Sequence, residues 1–291
     1  MNRTICTALV GMLALAVVGC SSTTDGNLRP GDPNDPTFQQ SKAQWEAAIS
    51  QAVGSIDLTM DYAFISPSDT VAPVRQGRGH VSADAAVDTF SYSWDPVNGW
   101  HVAYAVFSDS GLFATVLDSV QFRDATSQFQ QDFDSLSTDY IRVKQLLDLS
   151  MDDTLLFQAD LASLFDMTLS GLTGSVVMAN GNANMGMDMS FSDSASSCDI
   201  SFAFAQNLQS VAFSQPASEN DGVCPLSGSM QLTGTVSVAC TSAQGSETYN
   251  ETWEVNVTFN NNGTMEVEAQ SGNTVWTYTG DTPCGNYESM F

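Results

Sequence analysis

The most chemically constrained residues are four cysteines in the last third of the chain, Cys198, Cys224, Cys240 and Cys284. An even set in an exported chain reads as two disulfides, with three pairings open. Zinc is the competing use, but no C-x-x-C occurs and only His80 and His101 could assist, so no metal ligands are predicted. The same scarcity limits nucleophilic catalysis, which sets Ser or Cys beside a His oriented by a carboxylate. No G-x-S-x-G is present, and Ser108-Asp109-Ser110-Gly111-Leu112 has the composition of a polar turn. His80, in Gly77-Arg78-Gly79-His80, belongs to no phosphate-binding loop. His101 alternates with Trp100 and Val102, which predicts that it faces solvent. Met185, Met187 and Met189 set three thioethers on one strand face, donors that suit Cu(I). Phe191 continues their parity, so the row is predicted to be an inward core face. Asn180-Gly181-Asn182-Ala183-Asn184 and Asp32-Pro33-Asn34-Asp35 lack EF-hand spacing and read as turns. No catalytic residue and no cofactor is predicted.

The elements carrying these residues are mostly strands. Residues 39–53 predict one short helix, with Trp45, Ala48, Ile49, Ala52 and Val53 at helical spacing, Ser41 as cap and Gly54 as stop. From Ser55 the period changes to two. Phe90, Tyr92 and Trp94 alternate, Asp95-Pro96-Val97-Asn98-Gly99 turns, and Trp100, Val102, Tyr104 and Val106 alternate back. Residues 112–122 and 140–151 are strands, the second with Ile141, Val143, Leu147, Leu149 and Met151 on one parity. Residues 124–138 and 153–165 are ambiguous and compatible with helical turns. A meander follows over 185–191, 199–205, 229–240, 247–259, 264–270 and 274–279, with Asn260-Asn261-Asn262-Gly263 as a hairpin turn. Alternating strand directions favour 198–240 with 224–284 over sequential pairing. An internal echo, Asp57–Asp61 with Asp148–Asp152 and Ser119–Phe122 with Ser210–Phe213, raises two duplicated meanders. The fold expected is mainly β, a curved antiparallel sheet or open barrel or sandwich, with one short N-terminal helix.

The N-terminus carries a different kind of signal. Asn2-Arg3 opens it, residues 5–18 are apolar apart from Thr7, and Gly19 precedes Cys20. A positive start, a short apolar run and a small residue at the cut describe a secretory signal, too short for a membrane span of about 20 residues. Leu15-Ala16-Val17-Val18-Gly19-Cys20 resembles the lipobox of a bacterial lipoprotein signal, with Val17 where leucine is usual. The resemblance covers residues 1–20 and implies cleavage before Cys20, diacylation of its sulfur and acylation of the new N-terminus. Several acyl chains give stable anchoring where one is marginal. Ser21, not Asp, follows Cys20, which under the same resemblance points to the outer membrane. Residues 20–38, with Pro30, Pro33 and Pro36, are then a flexible tether, and 39–291 a single β-rich domain. Asn-x-Thr triplets at Asn250, Asn256 and Asn262 are glycan acceptors only in a eukaryotic route.

Charge bounds the partners. The chain has 33 acids against 8 Lys and Arg, a net charge of −25. Such a chain repels phosphate backbones, so nucleic acid is not an expected partner. Hydrophobic residues at 43% with 16 Phe support a real core beneath the acidic shell. The function expected is a membrane-anchored, non-enzymatic binding or structural module of the bacterial cell envelope, with a protein or lipid ligand. The alternative is a carrier holding a lipid or acyl chain inside a half-barrel.

Overall fold

A computed structural model describes residues 29–34, 36–64, 87–153, 157–192, 196–214, 223–242 and 245–284. Cys20, His80 and the lipobox lie outside them. The chain runs β1 (Arg29–Pro30), α1 (Pro36–Phe64), β2 (Val87–Asp95), β3 (Trp100–Asp109), β4 (Leu112–Asp124), β5 (Phe129–Gln130) and β6 (Thr138–Asp153). It continues with β7 (Phe157–Ser170), β8 (Val176–Ser192), β9 (Ser196–Ser214), β10 (Pro225–Ser242), β11 (Gly245–Phe259), β12 (Thr264–Ser271) and β13 (Thr274–Asp281). Among the described residues, all thirteen strands form one sheet, in the order β1-β13-β12-β11-β10-β9-β8-β7-β6-β4-β3-β2, with β5 paired to β4. Neighbours are antiparallel except β1, which lies parallel to β13. Among the described residues the two end strands, β1 and β2, do not pair, so the sheet stays open.

Because strand side chains alternate between faces, each register row assigns residues to one face. The inner face carries Phe122, Ile141, Leu169, Ala179, Val211, Leu232, Val255, Val257 and Val267, all at most 2% exposed. Helix α1 lies across it and contributes Trp45, Ala48, Ile49, Ala52, Val53 and Ile56 to the same core. Burying this stripe, rather than intrinsic propensity, is what stabilises the helix. Gln206, 5% exposed on the inner face, pins it by donating to Ser55 Oγ at 3.1 Å. At the β13 edge, Trp276 stacks on Phe38 at 5.8 Å and meets Trp45 at 5.8 Å.

Several expectations are corrected. Helix α1 does not stop at Gly54; it continues to Phe64. Ile56, 0% exposed, extends the stripe of Ile49 and Val53, and burial outweighs the roughly 1 kcal/mol that a mid-helix glycine costs against alanine. Of residues 153–165, the described ones hold no helical turn: Asp153 ends β6 and residues 157–165 lie in β7. The Asn180–Asn184 run is not a turn but the middle of β8, with a bulge between Ala179 and Gly181. Asn180 Oδ1 accepts the backbone N–H of Ser210 at 2.8 Å across that bulge, where Ser210 takes φ 51°. The echo of Asp57–Asp61 in Asp148–Asp152 pairs a helical segment with one in β6, so this match is not a structural repeat. Residues 29–31, read as part of the tether, pair with β13: Gly31 N–H donates to the Val275 carbonyl at 2.8 Å.

Candidate functional site

The disulfides follow from strand geometry. Cys198 and Cys240 face each other across the β9–β10 ladder and are bonded. Cys224, before β10, is bonded to Cys284, after β13. The second bond ties the segment entering β10 to the chain leaving β13, two places 60 residues apart.

His101 is not solvent-facing. It is 3% exposed and lies on the inner face, because the residues opposite it, Trp94 on β2 and Val120 on β4, point there too. The large side chains of the β2–β3 hairpin therefore divide. Phe90, Tyr92 and Trp94 share the inner face with His101, Ala103 and Ala105, while Trp100, Val102, Tyr104 and Val106 face outward. Nδ1 of His101 shares a 2.7 Å hydrogen bond with Tyr92 Oη, and the ring lies 4.3 Å from Trp94 and 5.8 Å from Phe122. Its Nε2 is buried without a well-formed hydrogen bond, beside the Gln131 backbone. Burial pushes the imidazole below its ordinary pKa, more than the Gln131 backbone and Asp132 raise it. Burial, with Asp132 adding to it, raises the Tyr92 phenol, so the pair holds no activated nucleophile. Ser108 stands seven residues along β3, about 23 Å away at strand rise, and donates its hydroxyl to Asp88. The two do not form a catalytic constellation.

Met187 and Met189, 4% and 5% exposed, pack with Ala159, Phe202 and Val236, and Met185 lies against them. The thioether row is core. Among the described residues no group of three or more His, Cys, Asp or Glu is placed to hold a metal ion, and no helix is long and apolar enough to cross a membrane.

What the sequence reading missed lies on the outer face. Three of the 8 Lys and Arg, namely Arg123, Arg142 and Lys144, stand together there on β4 and β6. Each lies against aromatic rings. Arg123 is 4.8 Å from the centre of Phe129 and 5.0 Å from that of Tyr140; Arg142 and Lys144 are 5.9 and 5.7 Å from Trp100. One acid sits among them: Asp166 takes a bidentate pair from Arg142 at 2.8 Å and a contact from Lys144 at 3.2 Å. Partial burial pushes the Asp166 carboxyl up, but the bonds from Arg142 and Lys144 prevail and hold it below the usual range.

Beside this cluster runs an apolar groove of about 450 Å³. Two register rows form its floor. Leu146, Leu164, Asn184, Ala205 and Thr233 make one; Asp148, Ala162, Gly186, Ala203 and Thr235 make the other. Small residues at 162, 186, 203 and 205 create the depression, and Leu146, 42% exposed, walls one end. The signal legible in sequence was the alternation of Arg142 and Lys144 against Ile141 and Val143 on β6. Which strands would bring Trp100, Arg123 and Gly186 onto the same surface was not legible. Compared with protein-family models, curated proteins and solved structures, the chain matches none.

Proposed function

We propose that this protein is a lipid-anchored binding module of the bacterial cell envelope, held at the outer membrane through acyl chains on Cys20 and binding through the outer face of its sheet. The observation that carries the binding reading is the basic and aromatic cluster of Arg123, Arg142, Lys144 and Trp100 beside an open groove, on a chain whose net charge is −25. A surface concentrating scarce cations against aromatic rings is an unusual use of them for stability alone, since exposed ion pairs contribute little. The lipobox-like Leu15–Cys20 stretch supports the anchor. The separation of His101 from Ser108 favours binding over hydrolysis. The close packing of Ile49, Val53 and Ile56 on the inner face, each 0% exposed, weighs against a carrier that holds its cargo between helix and sheet.

Metabolic labelling with radiolabelled palmitate in a bacterial host tests the anchor. Label is expected on the wild-type chain, and Cys20→Ala is expected to lose it and to release the protein from the membrane fraction. Unlabelled wild-type protein would remove the lipoprotein reading.

A further inference from the structure

We infer that the outer face binds a single-chain anionic amphiphile, with its acyl chain in the groove and its anionic head at Lys144, Arg142 and Trp100. The inference rests on the binding reading above and specifies the ligand. It stands on the adjacency of two features that ask for opposite ends of one molecule. The groove floor is mostly apolar, with Leu146, Leu164, Ala162, Ala203, Ala205 and the bare backbone of Gly186, and takes polar groups from Asn184 on β8 and Thr233 and Thr235 on β10. At 450 Å³ it lies within the roughly 300–1,000 Å³ of small-molecule sites, which are mostly apolar with a few placed polar groups. It crosses five strands, β6 to β10, a span of about 19 Å at a strand spacing of about 4.8 Å. That suits a long extended hydrocarbon chain and far exceeds what a small anion needs.

The head position follows from register. Lys144 and Asp166 occupy the outer-face row next to Leu146 and Leu164, two residues along β6 and β7. An anionic head entering this row meets Lys144, whose side chain is 40% exposed, and Arg142 beside it. Asp166 pairs with both cations and orients them. Trp100, under both cations, walls the head on the β3 side. The opposite long side of the groove is acidic: Asp148 lines it, and Asp160 and Asp188 face each other in the next outer row. That edge repels an anion, so the head has one favourable position. On a protein this acidic, a long-range field opposes anion capture. The groove therefore supplies the affinity by apolar burial, and the cluster supplies direction and discrimination.

The test uses the mature chain with Cys20→Ser, exported through an unrelated cleavable signal so that both disulfides form and no acyl anchor competes. Binding of hexadecanoate is measured by titration calorimetry, with hexadecyltrimethylammonium and acetate as comparison probes. Hexadecanoate is expected to bind in a one-to-one complex, acetate not to bind, and the cationic amphiphile to bind at least 10-fold more weakly. Gly186→Leu fills the groove, and a Cβ there meets nothing within 4 Å, so this variant is expected to fold with unchanged circular dichroism and lose binding by 10-fold or more. Lys144→Glu is expected to weaken hexadecanoate by about 10-fold, an amount corresponding to roughly 1.4 kcal/mol, while improving the cationic probe. Equal affinity for both amphiphiles would overturn the head assignment. Hexadecanoate binding unchanged in both variants would overturn the site. Neither failure touches the palmitate labelling of Cys20, so the anchor and the ligand are judged separately.

Discussion

At the scale of single residues, two desolvated ionisable groups on the inner face make opposite demands. His101 is kept neutral by desolvation, so its folded-state pKa lies below the unfolded value of about 6.5. The unfolded chain then binds the proton more readily. His101 costs nothing well above that value, and the fold loses stability as pH falls below it, by up to about 1.4 kcal/mol per pH unit for one group. Tyr92 and Asp132 are the ionisable groups that bear on it. Urea unfolding from pH 8 to 5 is expected to show wild type losing stability relative to His101→Gln; a constant difference would show that His101 does not titrate in this range. Asp118 behaves in the other sense. Burial raises its carboxyl, and the 2.7 Å bond from Gln145 Nε2 only partly offsets that. Because the folded pKa exceeds the unfolded one, the charged form burdens the fold above that folded pKa, and the burden lifts as pH falls through it. Asp118→Asn can still accept from Gln145, so it is expected to raise stability at pH 7 by about 1 kcal/mol and to lose that advantage near pH 4. No gain at neutral pH in a urea titration would refute this.

At the scale of elements, close approach decides more than propensity. Gly234 on β10 stands directly opposite Trp253 on β11, and a Cβ at 234 would run into the indole ring. Trp253, 4% exposed, belongs to the core beneath helix α1, so the ring cannot simply swing away. Gly234→Val is expected to destabilise by about 1–3 kcal/mol through overpacking, read as a lower urea midpoint, with a shift in near-ultraviolet circular dichroism from Trp253. A variant as stable as wild type would mean that the indole has free space. The Cys224–Cys284 bond works on the unfolded ensemble, limiting the freedom of the β10–β13 meander. Replacing both by Ser is expected to cost about 2–4 kcal/mol, with the cost absent when wild type and variant are compared under reducing conditions. Equal stability of the oxidised forms would show the bond to be dispensable.

At the scale of the whole molecule, one open sheet carries two surfaces with separate tasks. The inner face buries helix α1 and takes the apolar parity of most strands. The outer face stays in solvent and holds the cation cluster and the groove. The sheet ends are treated differently. Short β1 covers part of β13, whereas β2 is the other terminal strand of the described sheet and places Asp88 and Asp95 near its two ends, where charge discourages edge-to-edge pairing. The net charge of −25 adds colloidal protection for so broad a sheet, at the cost of self-repulsion within the compact state.

The alternation of Ile141, Val143, Leu147 and Leu149 against Arg142 and Lys144 was enough to define β6 and its faces. The run of turns and alternating strands after residue 185 marked a meander, and its alternating directions favoured pairing Cys198 with Cys240 and Cys224 with Cys284, the bonds observed. These are local signals, since a period of two and a tight turn are written in neighbouring residues. Three matters depended on contacts distant in sequence. Helix α1 runs past Gly54 because the inner face rewards burial of Ile56. His101 is buried because Trp94 and Val120 set its row, while the apolar residues flanking it pointed the other way. Arg123, Arg142, Lys144 and Trp100 meet Gly186 and Ala203 only through the order and register of β3 to β10. A single strand cannot encode which face will meet a helix, because both hairpin parities here are apolar. Only the packing of the complete sheet decided it.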